Sequence, residues 1–238
     1  MLLAQSVPFP PTPLSMRRFA LGLAVVFSAA TSASAQITTL FNTGVQANNS
    51  VLANGSVDTH YMAFSFSTLG TPGALIGQAE TLNNGYQTYG GYAQNASSRW
   101  IWANQSGNLD GQNYNTLFRT TFDLTGYDLS TVSISAFMAA DNNIAGVFLN
   151  GSTLGQSYGS FGSFDNFAIL SGFGSGVNTL DFYAQDFGPP AGFNAYYTST
   201  GSLADVTTTP EPASMALLAT GLAGLFGVTR RRRNKISA

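Results

Sequence analysis

The sequence predicts an all-β body, an antiparallel β-sandwich, over residues 36–206. Short runs alternate apolar and polar side chains, which is the period of a strand with one buried face; they are residues 118–124, 132–138 and 180–185. Asn150-Gly151 lies between two short apolar runs, and this dipeptide is typical of a type I′ hairpin. The body has no apolar stripe of helical period over about twelve residues, so helices that would cover a parallel sheet are not expected. Strands this short, bounded by Gly, Asn, Asp or Pro, indicate a sandwich.

The N-terminal segment, residues 1–35, predicts a signal peptide. Arg17 and Arg18 supply its positive start, a short apolar stretch follows, and residues 33–35 form an A-x-A-like cleavage site. The stretch before Met16 is rich in proline, so Met16 is the expected true start. We expect export by the general secretory (Sec) machinery, while the adjacent arginines also fit the twin-arginine route.

The C-terminal segment, residues 207–238, predicts a stiff linker, one transmembrane helix and a positively charged tail. The apolar stretch 213–229 contains no charged residue. At 1.5 Å per residue it would span about 25 Å, close to the roughly 30 Å of a bilayer core. Arginines beyond it can extend to the interface and stay on the cytoplasmic side of the inner membrane. The linker and tail residues that matter most below are Pro210, Glu211, Pro212, Arg230, Arg231, Arg232 and Arg233.

Charge is segregated along the chain, whose net value is −2. Between residues 36 and 209 only Arg99 and Arg119 are basic, and they stand against ten carboxylates, so this part carries −8 (two minus ten). No basic face is available for nucleic acid, and nucleic-acid binding is excluded. The chain has no cysteine and a single histidine, which excludes thiolate metal sites and a histidine-rich zinc site.

The order Pro-Glu-Pro, apolar helix and arginine cluster resembles the PEP-CTERM sorting signal of Gram-negative bacteria. Pro210, Glu211 and Pro212 match the tripeptide, and residues 230–233 match the basic tail. The resemblance implies exosortase as a partner, removal of the tail, and release or attachment of the body at the cell surface. Proteins of this kind are common in bacteria that make exopolysaccharide, which implies extracellular polysaccharide as a second partner.

The body resembles a domain common among exported proteins with this signal, itself similar to the galactose-binding-like jelly roll. The matching pieces are residues 40–45, 55–61, 98–101, 118–126, 141–142, 149–151, 171–173 and 176–182. The resemblance implies a jelly-roll-like sandwich that binds carbohydrate at loops on one end, with a structural calcium ion in many members. No sugar-contact motif of that family transfers residue by residue.

Two pairs of side chains are candidate ligand contacts because each pair shares one face of a strand. Asp58 and His60 are the only neighbouring carboxylate and imidazole. They either bind a ligand together or form an Asp–His pair that fixes a turn. Trp100 and Trp102 either form an exposed platform for a sugar ring or lie in the core.

Loops supply the remaining candidates. Asp186 and Phe187 begin a proline-containing loop whose carboxylate and aromatic ring suit sugar hydroxyls and ring faces. Asp110 and Asp141 lie in oxygen-rich loops that are candidate calcium sites, with ordinary turn chemistry as the alternative. No other cofactor is expected.

These features predict an exported cell-surface or matrix protein that is not an enzyme and associates with exopolysaccharide. A nucleophile elbow and a phosphate-binding loop are both missing from the sequence. One alternative is a secreted carbohydrate-active enzyme whose catalytic carboxylates are two of the aspartates. The other is a purely structural coat protein.

Overall fold

The computed structural model describes residues 34–83, 91–107, 115–204 and 217–225. Eleven strands occupy the described body, which confirms the all-β prediction. In chain order they are β1 (Ser34–Ala35), β2 (Val57–Ser65), β3 (Leu75–Thr81), β4 (Ile101–Trp102), β5 (Asn115–Asp123), β6 (Ser133–Asp141), β7 (Asn143–Leu149), β8 (Ser152–Thr153), β9 (Asp165–Ile169), β10 (Val177–Gln185) and β11 (Gly192–Ser202).

All strand pairs in the described body are antiparallel, in the order β8-β7-β10-β5-β2-β3-β4-β11-β6-β9, with β1 beside β11. The short strand β4 joins the two halves, since Ile101 is opposite both Thr81 of β3 and Phe193 of β11. The halves face each other across the core, because Phe193 lies 5.1 Å from the Phe118 ring of β5 and 5.0 Å from the Phe182 ring of β10. This two-layer arrangement is the predicted antiparallel sandwich.

The hairpin prediction is confirmed at the turn between β7 and β8. Leu149 is opposite Ser152, and both residues between them have positive φ, 52° at Asn150 and 78° at Gly151. That conformation is the type I′ turn, which asparagine and glycine adopt at low cost. The Asn150 amide also donates to Asn178 Oδ1 at 2.8 Å, which connects the turn to the start of β10.

The predicted terminal segments lie largely outside the described residues. Ser34 and Ala35, the last two residues of the predicted signal peptide, pair with β11 as β1. Residues 217–225 form a helix inside the predicted span 213–229. Across the described residues, no helix has both the length and the hydropathy needed to span a membrane. The Pro-Glu-Pro tripeptide and the arginine tail are outside the described part of the chain.

Candidate functional site

A groove of about 330 Å³ lies on the outer face of the sheet, where β2 pairs with β5. Inner positions of β5 such as Phe118 are in the core, so the alternate positions face outward. The lining includes the apolar side chains Phe41, Met62 and Val177. The polar side chains that line it, called the polar wall below, are His60, Arg119, Thr121 and Asp123. A cavity of this size and mixed lining is typical of a small-ligand site.

Asp58 holds the loop beside the groove. Its carboxylate is fully buried and accepts the Gly44 N–H at Oδ2 (2.6 Å) and the His60 N–H at Oδ1 (2.9 Å). Gly44 has a φ of +65°, a conformation that glycine adopts without strain. Asp58 is therefore the turn-fixing residue of the predicted Asp–His pair, and its carboxylate does not face the groove.

His60 is the member of that pair that lines the groove. Its Nδ1 lies 3.1 Å from the Val45 carbonyl oxygen and 3.4 Å from Asp58 Oδ1. Because a carbonyl only accepts, the Nδ1–H is the donor of this hydrogen bond, and in that tautomer Nε2 is an acceptor. The imidazole stacks on Phe41, with ring centres 3.8 Å apart and planes inclined by 20°. The two stacked rings form a flat contact surface at one end of the groove.

Arg119 on the polar wall was not among the predicted site residues. Its Nε and one Nη each donate to Asp181 on β10 at 2.7 Å, a bidentate pair that matches the guanidinium charge. The hydrogen bonds that Arg119 donates to Asp181 raise the pKa of Arg119, and the guanidinium lies 5.5 Å from the centre of the Phe64 ring. The sequence does contain a signal for this ion pair, because Arg119 and Asp181 both occupy polar positions in runs that alternate polar and apolar residues. Only the register Asp181 to Arg119 makes them partners.

Trp100 and Trp102 are core residues, which corrects the placement of Trp100 among the ligand contacts. Trp100 is 1% exposed and Trp102 is fully buried. The Trp100 indole donates its N–H to the Ala93 carbonyl at 2.9 Å and packs edge-on against Tyr92. Neither ring face is open to a sugar, because the chain closes over both.

The loop after β10 places its two candidate residues in different environments. Phe187 is 72% exposed, whereas Asp186 is fully buried and accepts the Gly188 N–H at 3.2 Å. Asp141 lies close enough to Asp186 to affect its ionisation, and Tyr92 donates its hydroxyl to Asp141. This carboxyl pair lies outside the groove, beyond the C-terminal end of β10, five positions after Asp181, which is opposite the groove residue Arg119.

The calcium candidates are only partly described. Asp110 lies outside the described residues, and Asp141 is engaged by Tyr92. Within the described ranges, no group of three or more His, Cys, Asp or Glu side chains is arranged to hold a metal ion. Burial raises the pKa of Asp141, while the Tyr92 hydroxyl opposes that shift.

Stability is expected to depend on pH through Asp186. Burial raises the pKa of Asp186 to about 6, and the charge of Asp141 adds to the shift. Between about pH 4, near the usual aspartate pKa, and pH 6 the unfolded chain loses this proton while the folded body keeps it. The free energy of unfolding should therefore fall as pH rises through that window.

Urea midpoints measured from pH 4 to pH 7 should show this slope in the wild type and a flatter one in Asp186→Asn. The exposed variant Asp128→Asn is the control, and an unchanged slope in Asp186→Asn would contradict the assignment.

Comparison with solved structures finds carbohydrate-binding domains at low similarity. A module from Paenibacillus barcinonensis, CBM35, is 14% identical, with a TM-score of 0.34 over 60% of this chain and 94% of that chain. A family 35 carbohydrate binding module from Clostridium thermocellum is 15% identical, with a TM-score of 0.30 over 46% of this chain and 82% of that one. No curated protein matches the chain. The fold assignment therefore rests on the strands and their pairing.

The C-terminal segment matches a family description directly. Residues 208–233 match the PEP-CTERM protein-sorting motif, which confirms the predicted sorting signal. The match contains the Pro-Glu-Pro tripeptide at 210–212, the helix at 217–225 and the four arginines at 230–233. The motif is the recognition signal of exosortase and implies a membrane-anchored intermediate. The chain therefore carries the PEP-CTERM protein-sorting motif and is an exported protein that is sorted and processed through its C-terminus.

Proposed function

We propose that the sorted body is a non-enzymatic cell-surface or matrix protein that binds extracellular polysaccharide in the groove between β2 and β5. The observation that carries this proposal is the groove's mixed lining of apolar and polar side chains. A pyranose ring has one face of C–H groups and a rim of hydroxyls, so it requires both kinds of surface together. The Phe41–His60 stack supplies the flat apolar contact, and Thr121 and Asp123 supply hydrogen-bonding groups.

Two features support a binding role. The stack is held in place before a ligand arrives, because Asp58 and the Val45 carbonyl fix His60 from behind. A preformed contact surface reduces the entropy that binding must overcome. His60, Arg119, Thr121 and Asp123 also lie on the paired strands β2 and β5, which are more rigid than a loop. Export through the Sec machinery would then place the body where polysaccharide is the surrounding polymer.

Replacing Phe41 with alanine is expected to weaken retention on the producer's own exopolysaccharide by roughly fivefold. Loss of one ring contact is worth on the order of 1 kcal/mol, and 1.4 kcal/mol is a factor of ten. The measurement is the dissociation constant of the secreted protein for purified polysaccharide. Phe187→Ala is the matched control, since it removes an exposed phenyl ring at the far end of β10.

The outcomes separate the alternatives. Loss of retention in Phe187→Ala instead of Phe41→Ala would move the site to the loop at 186–193. Failure of the wild type to bind any polysaccharide would favour a structural coat protein. Release of new reducing ends during incubation would favour a secreted carbohydrate-active enzyme, for which Asp141 and Asp186 would be the first carboxyl groups to replace.

A further inference from the structure

We propose that the groove selects an amino sugar with a free ammonium group and rejects acidic polysaccharide, with Asp123 as the residue that sets this preference. The inference rests on the proposed function, because it names the class of glycan that the same groove takes. It follows from the charges and hydrogen-bonding groups of the polar wall, taken one by one.

Arg119, the one arginine or lysine among the described residues that line the groove, is already paired. Arg119 gives its Nε and one Nη to the two oxygens of Asp181, and the Asp181 side chain is almost completely buried. An incoming carboxylate or sulfate would have to compete with this bidentate partner and would leave a buried aspartate unpaired. Such a loss is costly, so the guanidinium is a fixed part of the wall rather than an anion receptor.

Asp123 carries the uncompensated charge of the groove. Its Oδ1 accepts the Thr125 N–H at 2.8 Å and the Thr125 hydroxyl at 2.7 Å. These two bonds hold the pKa of the Asp123 carboxyl below its usual value, so the group is ionised in ordinary media. In the described part of the chain Asp123 forms no ion pair, and its Oδ2 has no hydrogen-bond partner. A ligand with a positively charged group would supply an ion-pair partner for Asp123.

The imidazole that lines the groove also offers a hydrogen-bond acceptor. His60 uses Nδ1 as its donor toward Val45, which leaves Nε2 as an acceptor without a partner among the described residues. A wall with a carboxylate oxygen and an imidazole lone pair favours ligands rich in N–H and O–H donors. An ammonium group has three donors and no acceptor, whereas a uronate or a sulfate adds acceptors and negative charge.

The charge of the whole body acts in the same direction. Residues 36–209 carry −8, which repels an acidic polymer and attracts a cationic one within the Debye length of about 8 Å at physiological salt. This field raises the local concentration of a cationic chain without choosing a position on the surface. Asp123 provides the position, because it is a carboxylate that lines the groove and forms no ion pair among the described residues.

The test uses the processed, secreted protein and three oligosaccharides of equal length. They are glucosamine oligomers, their N-acetylated equivalents and oligogalacturonate. Wild type should bind the glucosamine oligomers at least about threefold more tightly than the N-acetylated ones, with no measurable binding of oligogalacturonate. Asp123→Asn should remove most of this difference and leave N-acetylglucosamine binding unchanged, since an ion pair to a solvent-exposed carboxylate is weak.

Asp128→Asn is the matched control, because Asp128 makes the same two bonds to Ser130 that Asp123 makes to Thr125, but lies outside the groove. Tight glucosamine binding that Asp123→Asn does not weaken would overturn the inference, as would a preference for oligogalacturonate. Equal binding of the glucosamine oligomers and the N-acetylated oligomers would overturn the inference while leaving the proposed function intact. Absence of binding to all three, and to the producer's polysaccharide, would instead refute the proposed function itself.

Discussion

Replacing Gly44 with alanine is expected to lower the free energy of unfolding of the body by about 3 kcal/mol and to abolish ligand retention. The backbone at this position has a φ of +65°, which costs a residue with a Cβ roughly 1–2 kcal/mol. An added Cβ would also lie 2.4 Å from Arg99 Cβ and 3.2 Å from Arg99 Cα. Because these atoms belong to or adjoin the backbone, one chain segment must move, and such overpacking typically costs another 1–3 kcal/mol.

Gly44→Ala is expected to weaken ligand binding as well as stability, because Gly44 is linked to His60 through Asp58. The Gly44 N–H is one of the two backbone groups that Asp58 accepts, and the second is the His60 N–H. Displacing Gly44 leaves a buried carboxylate short of a partner and loosens the loop against which His60 is stacked. Retention on polysaccharide should therefore fall more than tenfold even at temperatures where the variant remains folded.

The variant Gly126→Ala distinguishes the cost of a positive φ from the cost of the steric clash with Arg99. Gly126 has a similar positive φ of +81°, but nothing lies within 4 Å of the Cβ it would gain. This variant should lose only about 1 kcal/mol and keep its ligand. Urea midpoints and dissociation constants of both variants give the comparison. Equal losses at the two glycines would show that contact with Arg99 is unimportant.

Strand periodicity predicted the body because each of the long strands buries one face. The runs at 118–124 and 180–185 fall in β5 and β10, and the Asn150-Gly151 turn is fixed by local backbone conformation alone. Such features depend on residues close in sequence. They survive in a single sequence because the period of a half-buried strand and the φ values of a tight turn belong to the local chain.

The groove could be predicted only in part, because its walls come from distant segments. His60 was a candidate from its spacing to Asp58, yet its partner Phe41 lies nineteen positions earlier, in a loop. Arg119 and Asp181 meet only in the register of β5 and β10. A strand face with two tryptophans has the same sequence pattern whether it is buried or exposed. Only the structure shows that the loop containing Ala93 covers Trp100 and places it in the core.

Replacing Pro210, Glu211 and Pro212 together with alanine is expected to block C-terminal processing almost completely. Proline has no N–H and disfavours helical conformation in the residue before it, so the native tripeptide favours an extended segment ahead of the apolar helix. Alanine is the strongest helix former and would allow the helix of 217–225 to extend backward through the recognition sequence. The variant also lacks the carboxylate of Glu211, so exosortase would meet neither the shape nor the charge of its signal.

The expected readout is accumulation of the unprocessed form in the membrane fraction, with at least a tenfold fall in secreted or surface-attached body, measured by intact mass and fractionation. A variant with glycine at 210 and 212 that keeps Glu211 separates conformation from chemistry, because glycine resists helix formation as proline does. Partial processing of that variant would assign the larger share to an extended backbone. Alanine at 207–209 is the control for altered linker composition. Normal processing of the triple variant at 210–212 would show that exosortase reads the helix and the arginines at 230–233 without the tripeptide.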